Sequence, residues 1–327
     1  MSDGLHWVLA GLLWAWTAAV VGTSGVAMLR ALRRRARPHA RPAPAPRPSV
    51  VVVRPCAGLE PHLGRTLRST GSLRYDGPLR VVLTTTAAND PAQPLLHRVA
   101  AELRHAGMDA QARVIPACGT NLKASQLSGV VDLGHDEIAV VVDSDVDLHA
   151  LDLEALIAPL CDRHDRVAAV WCAPVEREPA GAGDRLSSAV LGGSLHAFPL
   201  LGALDPGGLV GKTFAVRCDA LRETGGFAGL VQHLGEDMEL ARRLAERGWT
   251  THMSPRVVGS LASGRSVGSV LDRYVRWLMV IRAQRPALLL SYPLLLAATP
   301  GLVLAAVLGE RVGLPGAAFA GLLVGLA

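Results

Sequence analysis

Two uncharged apolar ends enclose a charged middle, and this arrangement limits the chain more than any motif does. Leu5 to Leu29 has no Asp, Glu, Lys or Arg, and at about 1.5 Å per residue it is long enough to cross a hydrocarbon core of about 30 Å. A cleaved secretory signal is the other reading of such a run. Here the basic residues follow the apolar stretch instead of preceding it, and no clear small-residue cleavage site is present, which favours a retained anchor over residues 1–30. At the other end Ala287 to Gly309 is again uncharged, and Val312 to Ala327 resumes the apolar character after Glu310 and Arg311. Pro293, Pro300 and Gly301 leave open whether the first of these stretches spans, kinks or re-enters, so 287–327 is expected to be a membrane region with an unspecified number of crossings. Half of the 327 residues are hydrophobic, which is too many for an ordinary soluble enzyme, and the charged middle excludes a bundle made only of membrane helices.

Arg30, Arg33, Arg34, Arg35, Arg37, Arg41 and Arg47 follow the first apolar stretch and place the bulk of the chain on the cytoplasmic side of the cell membrane. They alternate with Pro38, Pro42, Pro44, Pro46 and Pro48, so residues 31–48 read as an extended linker beside anionic head groups. A nucleic-acid arm is the rival reading, set aside because the cluster abuts an apolar span. The net charge of +5 is largely explained by this linker and says little about a substrate. Cys56, Cys118, Cys161, Cys172 and Cys218 have neither disulfide-framework nor zinc spacing, which fits reduced thiols in a cytosolic domain.

Within residues 49–265, short β-branched runs alternate with helical segments, the pattern of a mainly parallel sheet covered by helices. Strands are expected at Ser49–Val53, Leu79–Thr84, Ala112–Ile115, Ile138–Val142 and Val167–Trp171. Helices are expected around Pro61–Ser69, Pro94–Ala106, Asn121–Val131 and Glu236–Arg247. Val267 to Arg282 reads as an amphipathic helix with Tyr274, Trp277, Leu278 and Ile281 as its apolar stripe, inside an interfacial segment 266–286. Ligands of such sheets sit beyond the carboxyl ends of the strands, so the turns after Val53, Thr84 and Val142 matter most.

Asp143 and Asp145 follow an uncharged strand, where two like charges call for a compensating cation; Mg2+ or Mn2+ bridging a nucleotide diphosphate would supply it, and a solvated turn is the plain alternative. Glu236 and Asp237 open a helix, where the backbone dipole already favours acids. The upstream Gly225-Gly226-Phe227 allows a tight bend that could lay an acceptor beside Asp237, and Asp237 is the candidate general base. Arg273 and Arg276 share a helical face, with Trp277 suited to a membrane surface or to stacking on a sugar; lipid head groups and a leaving phosphate are both open partners for the arginines. Lys123 and Lys212 are the only lysines in the chain. Lys123 either reaches a phosphate or is the exposed side chain of a capped helix. Gly211-Lys212-Thr213 lacks the full glycine-rich loop of a triphosphate cradle, so that reading of Lys212 is discarded.

In this order the motifs resemble the ceramide glucosyltransferase-like enzymes of glycosyltransferase family 21, including the bacterial hopanoid-associated members. Arg54-Pro55-Cys56-Ala57-Gly58 stands where the family has a Lys-Pro start, followed by Asn121-Leu122-Lys123, Asp143-Ser144-Asp145, Gly225-Gly226-Phe227, Glu236-Asp237 and the Arg-x-x-Arg-Trp motif ending at Trp277. The resemblance covers about Ser49 to Pro286. It implies a Rossmann-like GT-A α/β fold with helices on both faces of the sheet, flanked by transmembrane helices. The implied chemistry is an inverting transfer of one sugar from a UDP-sugar to a lipid hydroxyl of ceramide or hopanoid type. A metal would sit on Asp143 and Asp145, and Asp237 would act as base with Glu236, Arg273, Arg276 and Trp277 in the catalytic group. Donor contacts would come from Arg54, Pro55, Asp90 and Lys123, and acceptor contacts from Gly225, Gly226, Phe227 and Trp277. The family's nucleotide-contacting acid falls on Ala87, and Asp90 matches only a later acid of that loop. The competing readings are a processive polysaccharide synthase, which normally needs more spans than this tail provides, and a catalytically silent lipid- or nucleotide-binding membrane scaffold.

Overall fold

The computed structural model describes residues 47–162, 165–193, 197–205, 207–261 and 263–291, together with a discontinuous set between 8 and 30. The described residues between 8 and 30 are helical, and no helix among the described residues is long and apolar enough to cross a membrane. Most of the arginine–proline linker, and the tail beyond 291, lie outside the described residues. By contacts the chain divides into a unit of 38–192 with 205–280, and a second unit made of 1–37, 193–204 and 281–327.

The larger unit is built on one eight-stranded sheet of order β3-β2-β1-β4-β7-β6-β8-β5. Its first half is parallel: β1 (Val50–Pro55) lies between β2 (Leu79–Thr85) and β4 (Ile138–Val142), with β3 (Asp109–Val114) outside β2. Crossovers pass through α1 (Leu63–Arg68), α2 (Gln93–His105) and α3 (Leu122–Ser128). The valine runs of β1 and β4 are fully buried, which is why they read as continuous apolar strands instead of alternating ones.

The second half mixes directions. β7 (Thr213–Arg217) runs antiparallel to both β4 and β6 (Val167–Glu176), β8 (Thr250–Ser260) is parallel to β6, and the two-residue β5 (Val146–Asp147) pairs antiparallel with β8. Trp171 and Phe214 are fully buried at its centre. Helices α4 (Leu153–Cys161), α5 (Ala182–Gly193), α7 (Cys218–Glu223) and α8 (Glu236–Glu246) complete the connections, with α6 (Ala197–Leu204) in the other unit. The expected amphipathic helix is α9 (Val267–Gln284), with Val267, Leu271, Val275, Trp277, Leu278 and Met279 exposed.

Candidate active site

The register of the sheet assembles the site. Val142 pairs with Thr213 across the antiparallel β4–β7 ladder, so the residue before β7 lies opposite the residue after β4, and the Asp143 amide donates to the Lys212 carbonyl at 2.9 Å. On the far side Val146 pairs with Ser260, the end of β8, and the Leu261 amide donates to the Asp145 carbonyl at 2.8 Å. Glu176, the last residue of β6, is registered with Ser260 as well. Three strand ends distant in sequence therefore surround Asp143-Ser144-Asp145.

Both lysines of the chain grip these carboxylates. Lys123 Nζ lies 2.7 Å from Asp143 Oδ1 and also donates to the Gly211 carbonyl at 2.8 Å. Lys212 Nζ bonds Asp145 Oδ2 and stands 3.8 Å from Asp143 Oδ2. Asp145 is buried and further receives Ser260 Oγ at 2.9 Å and Arg265 at 3.6 Å. Burial alone would raise its pKa, but Lys212, Ser260 and Arg265 outweigh burial and hold the carboxyl below its usual range. Arg265 is itself steadied by Glu176, which also pairs at 3.1 Å with Arg273 of α9, and Arg273 bonds Ser187.

The second acidic pair is brought in by Lys123 and Asn121. Asn121 caps α3 through the Ala124 amide, and its own amide group donates to Glu236 Oε2 at 2.9 Å and to the His233 carbonyl at 2.7 Å. Lys123 Nζ reaches Glu236 Oε1 at 3.2 Å, so one ammonium bridges the strand-end aspartate and the first residue of α8. Glu236 is buried; Lys123 and Asn121 outweigh that burial and keep its pKa low. Asp237 differs. Burial and the adjacent Glu236 carboxylate push it up to about 6, against the pull of Lys123 and of the Met238 and Gly211 amides. Gly211 N donates to Asp237 Oδ2 at 2.8 Å, and a Cβ at 211 would sit 2.7 Å from that oxygen, so only glycine allows this approach.

Several candidate residues take other roles. Arg54 is not on the donor surface: it is fully buried, with Nη1 on the Thr66 carbonyl (2.7 Å) and Thr70 Oγ1 (3.0 Å). Its Nη2 reaches the carbonyls of Asp143 (3.0 Å), Ser144 (3.2 Å) and Val146 (2.7 Å). Three of these five bonds hold the loop that carries the carboxylates, and the one donor left over, Nε–H, is buried, so none is exposed to a nucleotide phosphate. Pro55 ends β1 as a buried sheet residue paired with Thr84. Asp90 accepts from the Gly58 amide at 3.1 Å and the Ala92 amide at 2.8 Å, tying the turns after β1 and β2 together, while Ala87 is exposed in the same turn. Gly225 and Gly226 have φ of +89° and +66°, the bend that glycine permits, and Phe227 after them is buried. Arg276 and Trp277 are exposed on α9, and the ion pair linking this helix to the site is made by Arg273. Arg273 also lies 5.2 Å from the Trp277 ring centre.

Sequence reasoning discards Lys212 and misses Ser260, Arg265, Glu176 and Glu60, the last accepting from Ser144 Oγ at 2.6 Å. A divalent metal fits what is present. Asp145 Oδ1 is buried without a hydrogen-bond partner, a free anionic oxygen of the hard type that Mg2+ and Mn2+ take. Among the described residues no three His, Cys, Asp or Glu side chains form a metal cluster. That accords with an ion held by one or two carboxylates and completed by substrate phosphates.

The model of glycosyl transferase family 21 matches residues 13–326. Ceramide glucosyltransferase 3 of Caenorhabditis elegans is 31% identical over 152 residues, 46% of this chain and 33% of that protein, so the match spans a third of the relative's length. Among solved structures, a mannosyltransferase from Pyrobaculum calidifontis in complex with GDP-Man and Mn2+ superposes with a TM-score of 0.58 at 22% identity, over 98% of this chain and 92% of that one. This likeness establishes a GT-A-like α/β fold with a mostly parallel sheet. A glucosyl-3-phosphoglycerate synthase from Mycobacterium tuberculosis in complex with Mn2+, UDP and phosphoglyceric acid is more distant, with a TM-score of 0.43 at 18% identity over 71% of this chain and 78% of that one.

Proposed function

The chain belongs to glycosyl transferase family 21 and is a glycosyltransferase, and on that premise we propose that it moves one sugar from a UDP-sugar to a lipid hydroxyl, with inversion, at the cytoplasmic face of a membrane. The observation that carries this reading is the Lys123 bridge, which sets Asp143 and the Glu236–Asp237 helix start side by side at the carboxyl ends of the strands. Residues 49–265 would be the catalytic domain, 266–286 the interfacial helix, and 1–30 and 287–327 the membrane regions, joined by the linker 31–48.

Asp143 and Asp145 would hold Mg2+ or Mn2+, which when bound neutralises the diphosphate of the donor. Asp237, the acid poised near 6, accepts the proton of the acceptor hydroxyl. The freed oxygen attacks the anomeric carbon, the bond from that carbon to the diphosphate oxygen breaks, and its electron pair leaves with UDP. Glu236, tied to Asn121 and Lys123, positions Asp237 and keeps its carboxyl raised. The lipid acceptor is supported by the apolar ends of the chain and by the ceramide glucosyltransferase relative.

The test is nucleotide release by the detergent-purified full chain with UDP-glucose, UDP-galactose, UDP-GlcNAc and GDP-mannose in turn, with and without Mn2+ and a mixed lipid extract. Release that needs one UDP-sugar, Mn2+ and lipid is the expected result. Release only from GDP-mannose, or release that lipid does not stimulate, would overturn the donor or the acceptor assignment respectively.

A further inference from the structure

Lys212 was set aside in the sequence because its surroundings are not a phosphate loop, yet its placement gives it a different part in donor binding. Its ammonium lies against Asp145 Oδ2 and 3.8 Å from Asp143 Oδ2, between the two carboxylates that a divalent ion would use. The other cation on Asp145, Arg265, is fixed by Glu176 and cannot easily leave. Lys212 can. Its backbone carbonyl accepts from the Asp143 amide, and its four-carbon side chain, 20% exposed, carries the ammonium on rotatable bonds. The rest of the chain uses arginine for its cations, and both lysines are found here. A compact, mobile point charge suits a group that changes partners; a planar arginine fork does not.

Resting on the glycosyltransferase reading above, we propose that Lys212 is a donor-contacting residue that shares Asp143 and Asp145 with the divalent ion and passes to the diphosphate when metal and donor bind together. Its charge offsets those of Asp143 and Asp145. A divalent ion arriving alone must displace it and leave an ammonium without a counter-charge beside a new cation, which is unfavourable. The diphosphate of the donor supplies that counter-charge. Metal and nucleotide therefore bind synergistically, each strengthening the other by the same factor.

The experiment is titration of the detergent-solubilised full chain with MnCl2 alone, with UDP alone and with both, read by calorimetry and by Mn2+ electron paramagnetic resonance, for the parent and Lys212→Met. The expected result is opposite in sign for the two ligands: Mn2+ alone binds Lys212→Met at least about tenfold tighter than the parent, and UDP in saturating Mn2+ binds it at least about tenfold weaker. Lys212→Arg, which keeps the charge, gains no Mn2+ affinity. Lys212→Gln keeps a donor beside Asp145 without charge and carries the same expectation as Lys212→Met, should the latter fail to fold. Unchanged or weakened Mn2+ binding in the uncharged variants would overturn the role of Lys212. If instead Mn2+ fails to affect UDP binding by the parent, the metal assignment itself falls, an outcome separate from the first.

Discussion

Replacing Arg54 tests whether the carboxylate loop is shaped from beneath by a buried guanidinium. Its five acceptors are the carbonyls of Thr66, Asp143, Ser144 and Val146 and the hydroxyl of Thr70. A lysine brings at most three donors from one nitrogen, so Arg54→Lys gives up about two bonds, and at roughly 1.5 kcal/mol for each charge-assisted bond the loss is about 3 kcal/mol. Arg54→Met removes every donor and leaves buried carbonyls unpaired. A buried acceptor left unpaired costs about 1–3 kcal/mol and losses within one cluster do not add, so about 4 kcal/mol is expected. For a domain of this size each kcal/mol lowers the melting temperature by about 2–4 °C, giving a fall of about 6–12 °C for lysine and about 8–16 °C for methionine. Thermal unfolding of the detergent-purified variants, followed by circular dichroism without nucleotide, measures both. If Arg54→Met melted within about 2 °C of the parent, the bonds would not be supporting the loop, and Arg54 would return as a candidate donor contact.

The raised carboxyl of Asp237 makes the rate depend on pH: kcat/KM should fall as pH drops through about 6, because the protonated acid cannot accept the acceptor proton, and a profile flat from pH 5 to 8 would remove it as base. Asp184 is buried and accepts from the amides of Gly181 (3.0 Å), Gly264 (2.9 Å) and Arg265 (3.1 Å). Burial opposes its ionisation, but these backbone bonds prevail and hold its pKa down. Its stabilisation is thus complete above the unfolded carboxyl pKa of about 3.9 and is lost as pH falls through the lower folded value, so Asp184→Asn should melt several degrees below the parent at pH 7 and converge with it in strong acid.

The parallel half of the sheet is legible because buried parallel strands carry continuous apolar runs: Ile138–Val142 matches its observed bounds, and the strands around Val50 and Leu79 fall within two residues of theirs. β7 and β8 were not. Thr213–Arg217 begins and ends on polar residues and so lacks the unbroken apolar run of Ile138–Val142, and Thr250–Ser260 holds Pro255 and an exposed middle, so neither presents a strand pattern. Those two strands bring Lys212 and Ser260 to the carboxylates, and the end of β6 brings Glu176. Antiparallel register between distant segments left no local trace of that meeting. A compositional trace did exist: in a chain whose cations are otherwise arginine, Lys123 and Lys212 stood out, and both grip the site. Arg54 was misplaced for the opposite reason. A motif names a residue beside the donor strand, and only its burial reveals that it faces inward.

Whether the Asp237 carboxylate deprotonates the acceptor beside a metal-held donor is read out by Asp237→Asn, with sugar transfer to lipid and UDP affinity in Mn2+ measured on one preparation. Transfer should fall by at least about a hundredfold with UDP affinity nearly unchanged, because a general base acts on the proton in transit and not on the bound donor. Transfer that survives the substitution would contradict the assignment of Asp237 as the base.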